Sequence, residues 1–384
     1  MHVIVIGGGI TGPVAAIALR KAGIEVEVYE AYERTADGVG GWLLISPNGV
    51  NALGAIGLAD DLRGIGQPNL RMVMRDGGGT QFGTFEEPDQ RNPSQQVQRS
   101  ELHTVLREHA TAAGAKIHYG KRLVDVTETA NGVTAHFADG SSATGDVLIG
   151  ADGVRSRVRT AIDPNAPGPR YTGLLCFGGR LPGNNFGLNR GEFNASQGSR
   201  GTFGYLLTPE GDTEWFTNVP TADPLTADEV RAIGASQWLR LMRELFCDDY
   251  PARDMLDAAT PDTMLLLGPM EIMPSVPRWH SDRMVLAGDS VHAPSNSAGQ
   301  GASLSIESAV ELARCLRDLP LPQAFAAYER LRRPRVERVA EYGEKMNQDK
   351  VKGTVDPGAT DTLEQVFGWL HRHRIEWEDK ITAG

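Results

Sequence analysis

Cysteine is scarce in this chain of 384 residues: Cys176, Cys247 and Cys315 lie far apart and form no C-x-x-C pair. A disulfide scaffold and a structural zinc site are therefore not expected, and a reducing cytoplasm is the expected location. Basic charge is in deficit, with 38 Lys and Arg against 49 Asp and Glu, a net charge of −11. A nucleic-acid backbone requires a basic face, so no nucleic-acid partner is expected. No apolar run approaches the ~20 residues of a membrane span, and the opening Val3–Ile6 run is too short for a signal peptide. G-x-S-x-G, Walker and H-E-x-x-H patterns are missing, which removes support for hydrolase, P-loop and zinc-protease chemistry. His371 and His373 flank Arg372 with no cysteine partner, so no metal is expected there. What the chain does have is glycine, 45 residues of it, and 40% hydrophobic residues, enough to fill one large or two medium cores.

The N-terminus reads as strand, glycine turn, helix, strand. Val3-Ile4-Val5-Ile6 is continuously apolar, as in a strand buried on both faces of a parallel sheet. Val14 to Leu19 reads as a helix, closed by Gly23, and Glu25 to Tyr29 alternates as a second strand. Between the first strand and the helix lies Gly7-Gly8-Gly9-Ile10-Thr11-Gly12, a G-x-G-x-x-G. In such a turn Gly7 permits the tight bend, Gly9 lets a pyrophosphate approach the backbone, and Gly12 lets helix and sheet pack closely. Glu30 ends the second strand, where a carboxylate accepts hydrogen bonds from a ribose diol. A dinucleotide is the expected ligand. Two later segments repeat the theme of a buried strand ending in an Asp-bearing turn. Gly150-Ala151-Asp152-Gly153 follows Val147–Ile149, and Gly288-Asp289 follows Val285–Ala287. Asp289 is placed to hold a ribityl or ribose hydroxyl. Gly299-Gln300-Gly301-Ala302 opens a helix whose N–H groups face the electron-rich end of a ring.

Together, GGGITG, Glu30, Gln98-Arg99, DGVRSRVR and GDSVHAPSNSAGQG resemble the single-component FAD-dependent aromatic hydroxylases, the family of para-hydroxybenzoate hydroxylase, salicylate hydroxylase and the tetracycline-inactivating monooxygenases. The resemblance spans about Val3 to Tyr328. It implies FAD as the cofactor, NADH or NADPH as a transient reductant, O₂ as co-substrate, and an aromatic or polycyclic small molecule as substrate. The activity implied is hydroxylation or epoxidation through a flavin C4a-hydroperoxide. Arg99 matches the family's arginine near the FAD phosphates, Asp152 and Gly153 match its Asp-Gly segment, and Gly40 and Gly41 fall where it has a glycine at the flavin ring. A catalytic side chain is not required by such a mechanism, and none is assigned.

The fold implied is α/β: a Rossmann-like FAD domain (residues 1–70, 98–169 and 278–345) interrupted by a β-rich substrate domain (71–97 and 170–277), with a C-terminal helical segment (346–384). Phe203, Tyr205 and Trp215, on strands of the insert, are the substrate-pocket candidates, with core packing the commoner fate of such residues and of Phe216 beside them. Asn296 joins them, because it stands where the family usually has a proline, Pro294 lying two residues earlier. His292 is expected to be structural, and Arg330, Arg332, Arg333 and Arg335 to bridge acidic neighbours. Two alternatives stay open: a flavin reductase or dehydrogenase without oxygen transfer, and a non-catalytic flavoprotein binder.

Overall fold

The unbroken apolar runs form the centre of a five-stranded parallel sheet, in the order Met284–Leu286, Val147–Gly150, His2–Ile6, Glu25–Tyr29, Lys116–His118. The computed structural model describes residues 1–33, 41–87, 90–198, 201–352 and 368–383. Val3, Ile4, Val5, Val147, Leu148, Ile149, Val285 and Leu286 are fully buried, because helices or further strands cover both faces of the sheet. One cover is the Thr11–Lys21 helix, which packs on the almost wholly buried Gly301–Asp318 helix. The turns after the first, fourth and fifth strands in that sheet's chain order all emerge at its carboxyl end, where open α/β sheets bind ligands. Gly40, expected near a flavin ring, lies outside the described residues.

The helix after Gln98 runs Arg99–Ala112. The three strands that follow Ala113 are Lys116–His118, Leu123–Thr129 and Gly132–Phe137. Residues 227–245 form two helices, Ala227–Ile233 and Ala235–Leu245, broken at Gly234, whose φ of +89° no ordinary helix admits.

A seven-stranded sheet stands over the parallel one, in the order Met264–Ile272, Arg170–Leu181, Thr213–Pro220, Thr202–Leu207, Glu192–Gln197, Arg71–Asp76, Gln81–Glu86. One face packs against the Ala235–Leu245 and Ala252–Ala258 helices, with Phe177, Phe203, Tyr205, Trp238, Met242 and Phe246 in that core. The opposite face looks toward the parallel sheet. The strand Ser94–Gln98 does not join it, pairing instead with Trp42–Ile45 and Gln67–Asn69. The chain then closes with one long helix, Leu321–Lys352, which carries Pro334 in its interior and packs on both the Gly301–Asp318 helix and the Arg170–Leu181 strand. No helix among the described residues is long and apolar enough to cross a membrane.

Candidate functional site

Each glycine of the first motif does a different job. Gly7 has φ +108°, and a Cβ there would collide with the Ala151 carbonyl. A Cβ on Gly12 would collide with the Gly7 carbonyl. These two glycines are therefore demanded by the protein's own backbone. Gly9 is not: nothing lies within 4 Å of where its Cβ would be. The space in front of Gly9 belongs to a cavity of about 1450 Å³ between the two large sheets, more than the ~300–1,000 Å³ that one small ligand usually takes.

The cavity gathers Gly9, Gly41, Arg99, Gly153, Asp289, Asn296, Gly299, Gly301 and Ala302 onto its lower wall. Two helices start there, at Thr11 and Gly301, and neither has a side-chain cap. Their N–H groups and dipoles are thus free for an anion or an electron-rich ring. Asp289 lies deep in the fold but opens onto the cavity. Burial raises its pKa, opposed by the Arg99 guanidinium and the Ser305 hydroxyl. Ser305, one helical turn beyond Gly301, lines the same wall. Gly288 shapes the turn behind Asp289: its φ is +67°, and a Cβ would collide with Thr11 Oγ1. A dinucleotide's pyrophosphate, polyol and ring each meet a suitable donor set, so the residues present fit FAD.

Two of the expected cofactor residues are committed elsewhere. Asp152 faces away from the cavity and caps the Arg157–Ile162 helix. Its carboxylate accepts from Ser156 Oγ (2.5 Å), Arg157 N (2.7 Å) and Val158 N (3.2 Å). Its neighbours Ala151, Gly153 and Val154 line the cavity. Glu30 sits beside the cradle, its carboxylate accepting from Gly8 N (2.6 Å) and Tyr32 N (2.9 Å).

The upper wall corrects the expected substrate residues. Phe203 and Tyr205 face the helical core on the far side of their strand and do not reach the cavity. Trp215 borders the cavity, but its ring stacks on Phe203 in that core, with centroids 5.2 Å apart. Because strand side chains alternate, the residues between them face inward: Thr202, Gly204, Glu214, Phe216 and Asn218. The aromatic wall is made by Trp42, Phe193 and Phe216, with ring centroids 5.7–6.1 Å apart. Phe193 and Trp42 were missed because they come from separate sheets; only the i, i+2 relation to Ala195 and the run after Gly41 hinted at them. Beside this wall Glu214 is buried, which pushes its pKa up. Its Oε1 accepts from Gln98 Nε2 (3.1 Å), and Oε2 has no hydrogen-bond partner among the described residues.

Phe216 owes its pose to Gly204 on the neighbouring strand, where a Cβ would overlap the ring. Gly204→Ala should displace Phe216 and raise the KM for an aromatic substrate about tenfold, an overpacking effect of ~1–3 kcal/mol, while FAD content is unchanged. Steady-state kinetics with flavin absorbance as control would check it.

Asn296 does reach the cavity, with Nδ2 3.7 Å from Cys176 Sγ. Burial pushes that thiol up to about 12, so it stays protonated. His292 is structural, its Nε2 2.8 Å from Ser308 Oγ in the core. Three of the four arginines bridge acidic groups as expected, Arg332 and Arg335 to Glu307 and Arg333 to Glu329 and Glu337, whereas Arg330 donates to the Thr382 and Ala383 carbonyls instead. His371 lines the cavity edge, 3.9 Å from Glu87. Among the described residues no group of three or more His, Cys, Asp or Glu is arranged to hold a metal.

Comparison with known proteins gives a concordant picture. The chain matches a family model described as an FAD binding domain over residues 1–176 and 274–342. It is 31% identical over 345 residues to the FAD-dependent urate hydroxylase of Klebsiella pneumoniae, covering 88% of this chain and 87% of that one. It is 29% identical to the 6-hydroxynicotinate 3-monooxygenase of Pseudomonas fluorescens, covering 88% and 89%. Among solved structures, HpxO of Klebsiella pneumoniae complexed with FAD and uric acid superposes with a TM-score of 0.80 at 26% identity, over 97% of this chain and 93% of that one.

Proposed function

The chain belongs to the FAD-binding family of flavoprotein monooxygenases, and on that premise we propose that it uses NADH or NADPH and O₂ to hydroxylate or epoxidise an aromatic or heteroaromatic small molecule. For hydroxylation the balance is ArH + O₂ + NAD(P)H + H⁺ giving ArOH + H₂O + NAD(P)⁺. The observation that carries this reading is the continuity of one cavity, with a dinucleotide cradle on one wall and an aromatic wall opposite.

FAD, when bound, supplies the redox chemistry, taking a hydride and passing electrons to dioxygen. The protein's residues do the rest. Gly9 and the N–H groups of the Thr11–Lys21 helix would hold the pyrophosphate, with Arg99 as counter-charge. Asp289 would accept from a ribityl hydroxyl, and the N–H groups at Gly301 and Ala302 would stabilise negative charge that the ring gains on reduction. Trp42, Phe193 and Phe216 hold the substrate ring and exclude water from it. The chain has no second G-x-G-x-x-G, which suits a nicotinamide that binds transiently. A cytoplasmic setting suits a protein with three free cysteines and a need for reduced nicotinamide.

The test is anaerobic bleaching of the flavin bands by NADH and NADPH, followed by turnover under ¹⁸O₂ with a panel of heteroaromatics that includes urate and 6-hydroxynicotinate. The expected result is one labelled oxygen in the product of at least one substrate. Substrate-dependent reduction or desaturation with no label would establish the reductase instead. Bands that never bleach, with or without substrate, would leave a binder.

A further inference from the structure

The buried basic side chains differ in how they are balanced. Arg314 pairs with Glu311 and Arg332 with Glu307. Arg159 donates to the Ser290 and Val154 carbonyls and feels the nearby Asp152. Lys350, on the long C-terminal helix, is 9% exposed, lines the cavity and donates to a single hydroxyl, Ser297 Oγ at 2.9 Å. That hydroxyl spends its own proton on Asn347 Oδ1 (2.8 Å), which also accepts from Ser295 Oγ (2.8 Å). No carboxylate lies within ion-pairing distance of Lys350 among the described residues. Its thiol neighbour Cys176 is held protonated by burial and offers no counter-charge. An ammonium has three donors, so two remain unspent, in a place where an uncompensated charge is costly.

Position tells what those donors face. Cys176, beside Lys350 and Asn296, lies opposite Asn218 in the sheet, and Gly178 lies opposite Phe216. The two rungs are two residues apart along a strand, or about 7 Å. An aryl carboxylate and one hydrogen bond together span that separation. We propose that Lys350 is the specificity-determining residue for an anionic substituent of the substrate, an aryl carboxylate or an equally acidic ring group, received at the Asn296–Asn218 end of the cavity while the ring rests on Phe216.

This inference rests on the monooxygenase reading for the identity of the cavity, but its test needs no turnover. FAD-loaded enzyme is titrated with matched acid and amide probes (benzoate and benzamide, nicotinate and nicotinamide, 2-naphthoate and 2-naphthamide), read as perturbation of the flavin absorbance. In the native protein at least one acid should bind about tenfold or more tightly than its amide. Lys350→Met, which keeps the buried stem, should weaken that acid by about tenfold to a hundredfold, the worth of a charged hydrogen bond. It should leave the amide within about threefold, and Lys350→Arg should restore part of the loss. Amides that equal acids in the native protein would overturn the proposal without recourse to any variant. So would an equal loss on both probes, or an effect confined to flavin reduction with ligand binding unchanged. An enzyme that binds acids selectively yet labels no product fails as a monooxygenase while keeping Lys350 as an anion receptor; labelled product without acid preference does the reverse.

Discussion

Gly9→Asp is expected to abolish FAD retention while leaving the apoprotein's thermal midpoint essentially unchanged, and Gly12→Ala to lower the midpoint of the apoprotein itself. The two glycines are three residues apart in one turn, so a motif-level view predicts the same outcome for both. Their surroundings differ. Gly9 has no positive φ, and its missing side chain faces open cavity, so the fold tolerates a side chain there. The aspartate carboxylate would then stand where the pyrophosphate must come. A like charge about 4 Å away costs on the order of 4 kcal/mol at an effective dielectric constant near 20, about a thousandfold in FAD affinity. Gly12 lies inside the Thr11–Lys21 helix, and a Cβ there meets the Gly7 carbonyl, backbone against backbone. Neither can move without opening the contact between helix and sheet, and the cost is about 3 kcal/mol, the upper part of the overpacking range. The flavin-to-protein absorbance ratio, FAD titration by fluorescence and melting of the apoproteins separate the two effects. A yellow, FAD-saturated Gly9→Asp protein would move the pyrophosphate elsewhere.

Glu307→Ala should cost about 3–5 kcal/mol, because it strands buried cations rather than merely deleting a contact. Glu307 is fully buried, forms an ion pair with Arg332 (2.6 Å) and accepts from Arg335 (2.8 Å) and Asn48 Nδ2 (2.6 Å). It therefore ties the Pro47–Ala55 helix and the long C-terminal helix to its own helix, Gly301–Asp318. Burial alone would raise its pKa, but the two guanidiniums win and hold it at about 2. Its contribution to stability is complete above the unfolded value of 4.5 and fades as pH falls toward 2. His292 adds to acid lability at higher pH. Burial and the nearby Arg332 keep it neutral in the fold, down to about 3. The unfolded chain takes up its proton from about 6.5, so stability declines as pH falls from 6.5 toward 3. His373, held near 4 mainly by burial, acts in the same direction. Urea midpoints measured from pH 8 to pH 4 should fall with acid already above pH 5, and His292→Gln should flatten that upper part. A flat native profile down to pH 5 would show that these histidines titrate alike folded and unfolded.

How much of this was legible beforehand differs from element to element. Val3–Ile6, Val147–Ile149 and Val285–Ala287 announce parallel strands because a strand covered on both faces needs no polar alternation. The glycine spacing, the carboxylate at Asp289 and the helix start at Gly301 announce the cofactor wall because they are local: each works through the backbone of its own turn. The aromatic wall is different. Phe203, Tyr205 and Trp215 attract attention on their strands, yet alternation says only which residues share a face. Both faces of the seven-stranded sheet are apolar, one against helices and one against the cavity, so composition does not distinguish them. Asp152 shows the same limit, since an Asp-Gly turn reads alike whether its carboxylate caps a helix or meets a ligand.

The sequence by itself therefore determined the α/β class, which depends on periodicity and on short-range backbone geometry, and its motifs pointed by resemblance to a flavoprotein family. Only the tertiary structure decided which aromatic rings face the cavity, which carboxylates open onto it and which buried cation has no carboxylate beside it among the described residues. Those properties depend on residues such as Trp42, Phe216 and Lys350, which are far apart along the chain and meet only when the two sheets and the last helix enclose one space.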